Sequence, residues 1–192
     1  MARLMRTAPP LYAAWAYMLD QAEIGMMCAL GTGGDMVVRL ADEFAPPDVR
    51  DRVRALFAAG EYAGEAAQML TERTGGSDLA ALEATATPDG DRWRLSGFKW
   101  FASNASNADF ILMMAVTNPE NPPHKAASFF IIPKGTPGLD IARDVFNMGH
   151  PYPGHFRSGG HAEIFLRECR VPVANRVGAE GDGFVLAQQR LN

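Results

Sequence analysis

Residues 82–104, LEATATPDGDRWRLSGFKWFASN, decide the fold of this chain. They read as short threonine- and aromatic-bearing strands joined by Pro88-Asp89-Gly90-Asp91. An Asp-Gly pair at such a junction is a hairpin signal, because glycine supplies the conformation a tight two-residue turn needs. Downstream, DFILMMAVT (109–117) and ASFFIIP (127–133) are apolar runs of strand length, separated by the Pro- and Asn-rich loop NPENPPHK (118–125). TPGLDIA (136–142) and HAEIFLRECRVP (161–172) continue the strand-and-turn rhythm. GAEGDGFVLAQQRLN (178–192) then reads as a loop opening a helix at about Gly183, a helix expected to lack partners for its apolar face.

Upstream the texture is helical. LYAAWAYMLDQAEIGMMCAL (11–30) carries apolar residues at helical spacing, and Gly31, Gly33 and Gly34 stop the pattern. APPDVRDRVRALFAAG (45–60) predicts a second helix, with Pro46 or Pro47 in its first turn, Asp48 at its positive end and Gly60 as its stop. The fold class is therefore α+β: N-terminal helices followed by an antiparallel barrel- or sandwich-like β-domain.

With 192 residues, 47% hydrophobic and 21% charged, the chain can bury a substantial core. A net charge of −4 offers no basic footprint for nucleic acid. No apolar run reaches the roughly 18 residues of a membrane span, and Asp20, Gln21 and Glu23 interrupt the early apolar stretch, so no signal peptide is expected. Cys28 and Cys169 match neither a disulfide framework nor a CxxC motif, and a cytoplasmic location is the simplest expectation.

Several motifs fail their tests. GTGGDM (31–36) lacks the last glycine of a dinucleotide fingerprint and follows no strand. His150, His155 and His161, with Cys169 beyond, have no standard zinc spacing, so no metal is expected. No G-x-S-x-G elbow offers a serine nucleophile. MLTERTGGSDL (69–79) is more informative: backbone N–H groups bared by Gly75 and Gly76, with the Thr71 and Ser77 hydroxyls, form either an anion cradle or a tight turn capped by Ser-Asp.

The order of these segments resembles the acyl-CoA dehydrogenase family, which carries a T-E-x-x-x-G-S-D segment, a strand pair with a D-G turn, and then G-x-K-x-W/F-x-T/S. Here the last element is GFKWFASN (97–104). TPGLDI, HAEIFLRECRVP and GAEGDGFVLAQQRL are similar to that family's next landmarks. GHFRSGGHAEIFLRECRVP is most similar to a branch found beside kinase-like domains, and LDQAEIGMMCALGTGGDMV to the alkylation-response branch. The resemblance runs from about residue 15 onward and divides the chain into residues 1–66 of an N-terminal helical domain, 67–178 of a middle β-domain and 179–192 of a C-terminal helical domain.

The resemblance implies FAD as cofactor and an acyl-CoA as substrate. It places Met69, Thr71, Gly76 and Ser77 against the flavin and its pyrophosphate, with Ser77 also near the acyl-CoA. It places Phe101 against the flavin ring and Ser103 near flavin N5. Strand alternation would let only one of Trp100 and Phe101 face the flavin. Arg73 stands where most members carry proline. The implied reaction is α,β-dehydrogenation, a carboxylate removing the α-proton while the β-hydride moves to flavin N5. That carboxylate is expected in a C-terminal helical domain beyond Asn192, so no catalytic residue is assigned here. Glu72 is expected to tie down the flavin loop, and Glu163 to pair with Arg167 or Arg170. His124 and Lys125 are candidates for CoA phosphates, with a solvated loop as the simpler reading. The full-length form is expected to be a homo-oligomer. A non-catalytic flavin- or partner-binding module of the same fold, and an alkylation-response-type relative, stand as alternatives.

Overall fold

The computed structural model describes residues 7–22, 40–58, 66–145 and 161–189. Cys28, GTGGDM, Gly60, His150 and His155 lie outside them.

The hairpin signal becomes β2 (Thr85–Asp89) and β3 (Arg92–Ser103), paired antiparallel with Asp89 opposite Arg92. Gly90 takes φ 65° and Asp91 has no positive φ, the glycine-first pattern of a two-residue turn. The two apolar runs become β4 (Phe110–Val116) and β5 (Ala127–Pro133), antiparallel with Phe110 opposite Pro133. Then follow β6 (Leu139–Val145), β7 (His161–Pro172) and the short β8 (Arg176–Val177). A strand the sequence did not signal, β1 (Ala66–Met69), adds parallel to β4. The eight strands run β6-β7-β3-β2-β4-β5-β8, with β1 attached to β4 off that path.

Strands three places apart in a flat sheet would lie roughly 14 Å apart. Yet Trp93 of β3 and Phe130 of β5 meet edge to face at 5.5 Å between ring centroids. The sheet therefore folds over on itself around a core that joins Leu95, Cys169 and Val171 to Ile111, Met113, Phe130 and Ile132. The alternate residues of β4 and β5, Phe110, Leu112, Met114, Phe129 and Ile131, form a second core on the other face. Both strands are thus apolar at nearly every position because both of their faces are covered.

Helices provide that cover. Residues 40–44 are helical and contribute Leu40 and Ala41, and α2 (Pro47–Ala58) contributes Val49 and Val53. Pro47 opens α2 and Asp48 sits in its first turn, as expected. The helix α3 (Gly183–Gln189) does find partners: Leu186 and Ala187 are buried in the second core, while Phe184 and Val185 stay exposed. The seven-residue helix starts hard against the sheet: Gly183 lies against the backbone of Ala127 and Ser128, where a Cβ would come within 2.7 Å of the Ala127 carbonyl oxygen. The first helix, α1 (Pro9–Ala22), buries none of its residues.

One buried ion pair fixes the stretch between β1 and β2. Lys99 of β3 and Glu72 have side chains only 0% and 3% exposed, with Nζ 2.6 Å from Oε1. Lys99 also donates to the Leu70 carbonyl at 3.2 Å. The Glu72 carboxylate accepts from the N–H of Glu83 at 2.6 Å and of Ala84 at 3.2 Å. Burial pushes the Lys99 ammonium below its ordinary value, and the adjacent carboxylate opposes that shift. Beside this pair, Gly97 holds φ 147° at a register shift of β3 against β7, and a Cβ there would lie 2.6 Å from the Ala84 Cβ.

Urea unfolding tests the clamp and the β2–β3 turn. Gly97→Ala should cost at least about 2 kcal/mol, from overpacking and backbone strain together. Gly90→Ala, with nothing near the new methyl, should cost only about 1–2 kcal/mol of backbone energy. Glu72→Gln and Lys99→Met should each lose roughly 3 kcal/mol, since each strands a buried partner. The double variant should lose clearly less than their sum; simple additivity would mean that the two groups are not coupled.

Candidate functional site

Residues 70–78 leave β1 and turn back along β3. The Trp100 N–H donates to the Thr71 carbonyl at 2.8 Å, which joins the loop to the strand beyond the ion pair. Within the loop the Glu72 N–H donates to the Gly75 carbonyl at 2.9 Å and the Gly75 N–H to the Glu72 carbonyl at 3.2 Å. The stretch is thus a tight turn, and the Gly75 N–H is engaged inside it rather than offered outward. Asp78 caps the 3-10 turn Leu79–Ala81 by accepting from the Ala80 N–H, and Thr74 Oγ1 donates to the Ala81 carbonyl.

What remains of the cradle is one residue along. The N–H groups of Gly76 and Ser77 and the hydroxyls of Thr71 and Ser77 have no hydrogen-bond partner among the described residues. Gly76 presses on Thr71: an added Cβ would stand 2.8 Å from Oγ1. Met69 is fully buried in the first core, so only its backbone can face a ligand.

Strand alternation breaks at the other half of the site. Between Lys99 and Ala102 the register of β3 against β7 shifts, and Phe101 adopts φ 55°. Lys99 and Ala102 both point inward, so Trp100 and Phe101 are left together on the outer side. Their ring centroids are 5.2 Å apart at 31°. The strand alternation on which the expectation of a single flavin-facing ring rested does not hold here, because the bulge inserts a residue into the two-residue period. Phe101 is 52% exposed, large for an aromatic ring on a strand. Trp100 Nε1 is shielded from solvent and has no partner among the described residues. Ser103 ends the strand, with Oγ 2.9 Å from Nδ1 of His161 on β7.

Arg73 extends this surface. Its guanidinium carbon lies 4.4 Å from the Phe98 ring centroid and 5.7 Å from that of Trp100. It also stands 3.9 Å from Glu163, whose other oxygen takes the Arg143 Nε hydrogen. The expected partners of Glu163, Arg167 and Arg170, are engaged elsewhere, with Asp140 and with Asp89. Those arginines lie four and seven residues along the same strand, more than ~12 Å away, whereas Arg143 is directly opposite Glu163 on β6.

His124 and Lys125 are exposed in the 3-10 turn Pro123–Lys125. Cys169 is buried and its thiol is pushed up to about 11 by burial, which leaves no thiolate at neutral pH. Among the described residues no group of three or more His, Cys, Asp or Glu could hold a metal, and no helix is long and apolar enough to cross a membrane.

This architecture has close relatives. Residues 67–169, more than half of the chain, match the family model for the acyl-CoA dehydrogenase middle domain. Cyclohex-1-ene-1-carbonyl-CoA dehydrogenase of Geobacter metallireducens is 35% identical over 176 residues, covering 88% of this chain and 44% of that enzyme. Mitochondrial isobutyryl-CoA dehydrogenase of Bos taurus is 33% identical, covering 82% of this chain and 36% of that protein. The solved acyl-CoA dehydrogenase of Geobacillus kaustophilus superposes with a TM-score of 0.71 at 28% identity, over 82% of this chain and 40% of that one. The chain thus spans less than half the length of the curated relatives it matches. By the match over residues 67–169, and by an α+β fold shared with a solved member, the chain belongs to the acyl-CoA dehydrogenase family.

Proposed function

We propose that this chain supplies one wall of the FAD site in a flavin-dependent acyl-CoA dehydrogenase. One observation carries the reading. A clamped loop with unengaged N–H groups at Gly76 and Ser77 is hydrogen-bonded to a strand that exposes the Phe101 ring and sets a hydroxyl at Ser103 beside it. Backbone donors and hydroxyls suit a pyrophosphate, and an exposed aromatic ring suits an isoalloxazine face, so the residues present fit FAD.

The Met69 backbone, Thr71, Gly76 and Ser77 hold the phosphate-bearing part, and Ser77 also reaches toward the acyl-CoA. Phe101 packs against the ring and Ser103 offers its hydroxyl to the ring nitrogens. A bound flavin would supply the acceptor for the hydride leaving the β-carbon of the acyl thioester. The chain's own part is to orient and to exclude water. Removal of the α-proton is not assigned to Glu72 or Glu163: the first is closed in by Lys99 and two backbone N–H groups, the second by two arginines. That proton is expected to go to a carboxylate outside the described residues. A homo-oligomer and a cytoplasmic location belong to the same proposal.

The test is a visible absorption spectrum of the purified chain, desalted after incubation with FAD. Retained flavin bands are expected. Phe101→Ala should weaken FAD binding roughly tenfold, the loss of one aromatic contact. Val173→Ala, which removes an exposed apolar side chain outside this surface, should leave binding unchanged. A folded but colourless chain would overturn the reading of these residues as a working flavin wall.

A further inference from the structure

We infer that His161 is a positioning residue that sets the direction of the Ser103 hydroxyl, and with it which oxidation state of the flavin this site favours. The inference rests on the proposed function above. Its geometry is independent of that proposal.

Ser103 and His161 face each other across β3 and β7, and Ala102 faces Ala162. The shift between Lys99 and Ala102 brings these pairs into register after Trp100 and Phe101 have been turned outward together. Ser103 Oγ and His161 Nδ1 stand 2.9 Å apart, and both residues are half-buried. Among the described residues Ser103 is the only hydrogen-bond partner of the His161 ring. The charged groups nearby are engaged with others: Asp144 of β6 accepts from Ser106 Oγ, and Glu163 of β7 is held by Arg143 and Arg73. Lys134 donates to the Ser106 carbonyl. Among the described residues no carboxylate is hydrogen-bonded to the His161 ring, and the neutral tautomer with hydrogen on Nε2 leaves Nδ1 as an acceptor.

A serine hydroxyl has a single hydrogen. If Ser103 donates it to Nδ1, the oxygen presents only lone pairs on its other side. A ligand nitrogen there must then bring its own hydrogen. An oxidised flavin carries an acceptor nitrogen at its reactive position, whereas the reduced ring carries N–H. Neutral His161 therefore biases Ser103 toward the reduced ring. Without the imidazole the hydroxyl is free to turn and donate to the oxidised ring.

The experiment has two arms, both in alkaline buffer where imidazole is neutral, so that no change of charge enters. In the first, the ring nitrogens of His161 are followed by NMR in the 15N-labelled chain. The neutral ring should carry its hydrogen on Nε2. Ser103→Ala should shift the Nδ1 resonance, and Ser103→Thr should restore it. A hydrogen on Nδ1, or a resonance indifferent to Ser103→Ala, overturns the inference. In the second arm, affinities for FAD and for dithionite-reduced FAD are compared. His161→Phe should move their ratio toward the oxidised form by about three- to tenfold, the worth of one hydrogen bond. The same substitution in a Ser103→Ala background should change the ratio little. His161→Leu repeats the comparison should the phenylalanine disturb folding, which near-ultraviolet circular dichroism would reveal.

Flavin binding with a ratio that ignores His161 overturns this inference and leaves the proposed function standing. A chain that binds neither form of FAD, with the NMR coupling intact, overturns the flavin reading and the flavin half of the inference with it.

Discussion

The buried contact between Lys99 and Glu72 holds three separate stretches of chain in one place. A lysine and a glutamate with side chains almost fully removed from water are tolerable only when each finds its partner and the remaining hydrogen-bonding capacity is filled. Here it is filled by backbone. Lys99 reaches the Leu70 carbonyl at the end of β1, and Glu72 receives the N–H groups of Glu83 and Ala84 at the approach to β2. The pair therefore specifies where the loop after β1 must lie relative to β3. The Trp100–Thr71 hydrogen bond continues the same attachment one residue beyond. Within the turn the Gly75 N–H is engaged by the Glu72 carbonyl, which leaves the N–H groups of Gly76 and Ser77 as the unengaged ones.

The two irregularities of β3 against β7 belong to the same design. The first places Gly97 so close to Ala84 that no side chain fits, and Ala84 is also the residue whose N–H Glu72 holds. Strand approach and ion pair thus share a residue, and neither can shift alone. The second irregularity forces a non-glycine residue, Phe101, to a positive φ. Such a conformation costs of order 1–3 kcal/mol and survives only where the surroundings over-determine it. Its result is the outward pairing of Trp100 and Phe101 with Ser103 close behind, which is the feature the proposed flavin wall requires.

Much of this was legible in the sequence. The Asp89-Gly90-Asp91 turn, the doubly covered β4 and β5, and the loop over 69–79 all carry local signatures in composition and order. β1 carried none, because Ala-Ala-Gln-Met has no β-branched or aromatic residue and becomes a strand only through its parallel neighbour. The pairing of Glu163 with Arg143 depends on the register of β6 against β7, which no local pattern encodes. The outward placement of both aromatics depends on a bulge, and a period-two argument cannot detect the residue at which it fails. Ser103 and His161 are 58 positions apart and meet only because β3 and β7 pair over most of their length.

The distribution of charge over this surface also bears on its share of the chemistry. The two buried carboxylates beside the loop and the aromatic ledge are each held by a cation: Glu72 by Lys99, and Glu163 by Arg143 with Arg73 beside it. A proton-abstracting base needs an open carboxylate within reach of its substrate, and these two are closed in by the interactions that stabilise the fold. The surface instead presents hydroxyls, unengaged N–H groups and aromatic rings, with the Arg73 guanidinium within reach of the Phe98 and Trp100 rings. Arg73 adds a cation at the edge of these neutral donors. Glu163 lies between that cation and Arg143, so one carboxylate is shared by two guanidiniums. Such a wall can hold an anionic cofactor through backbone and hydroxyl donors without competing for the proton that the reaction must remove, and on the proposed function that separation is what lets binding and proton transfer be carried by different parts of the protein.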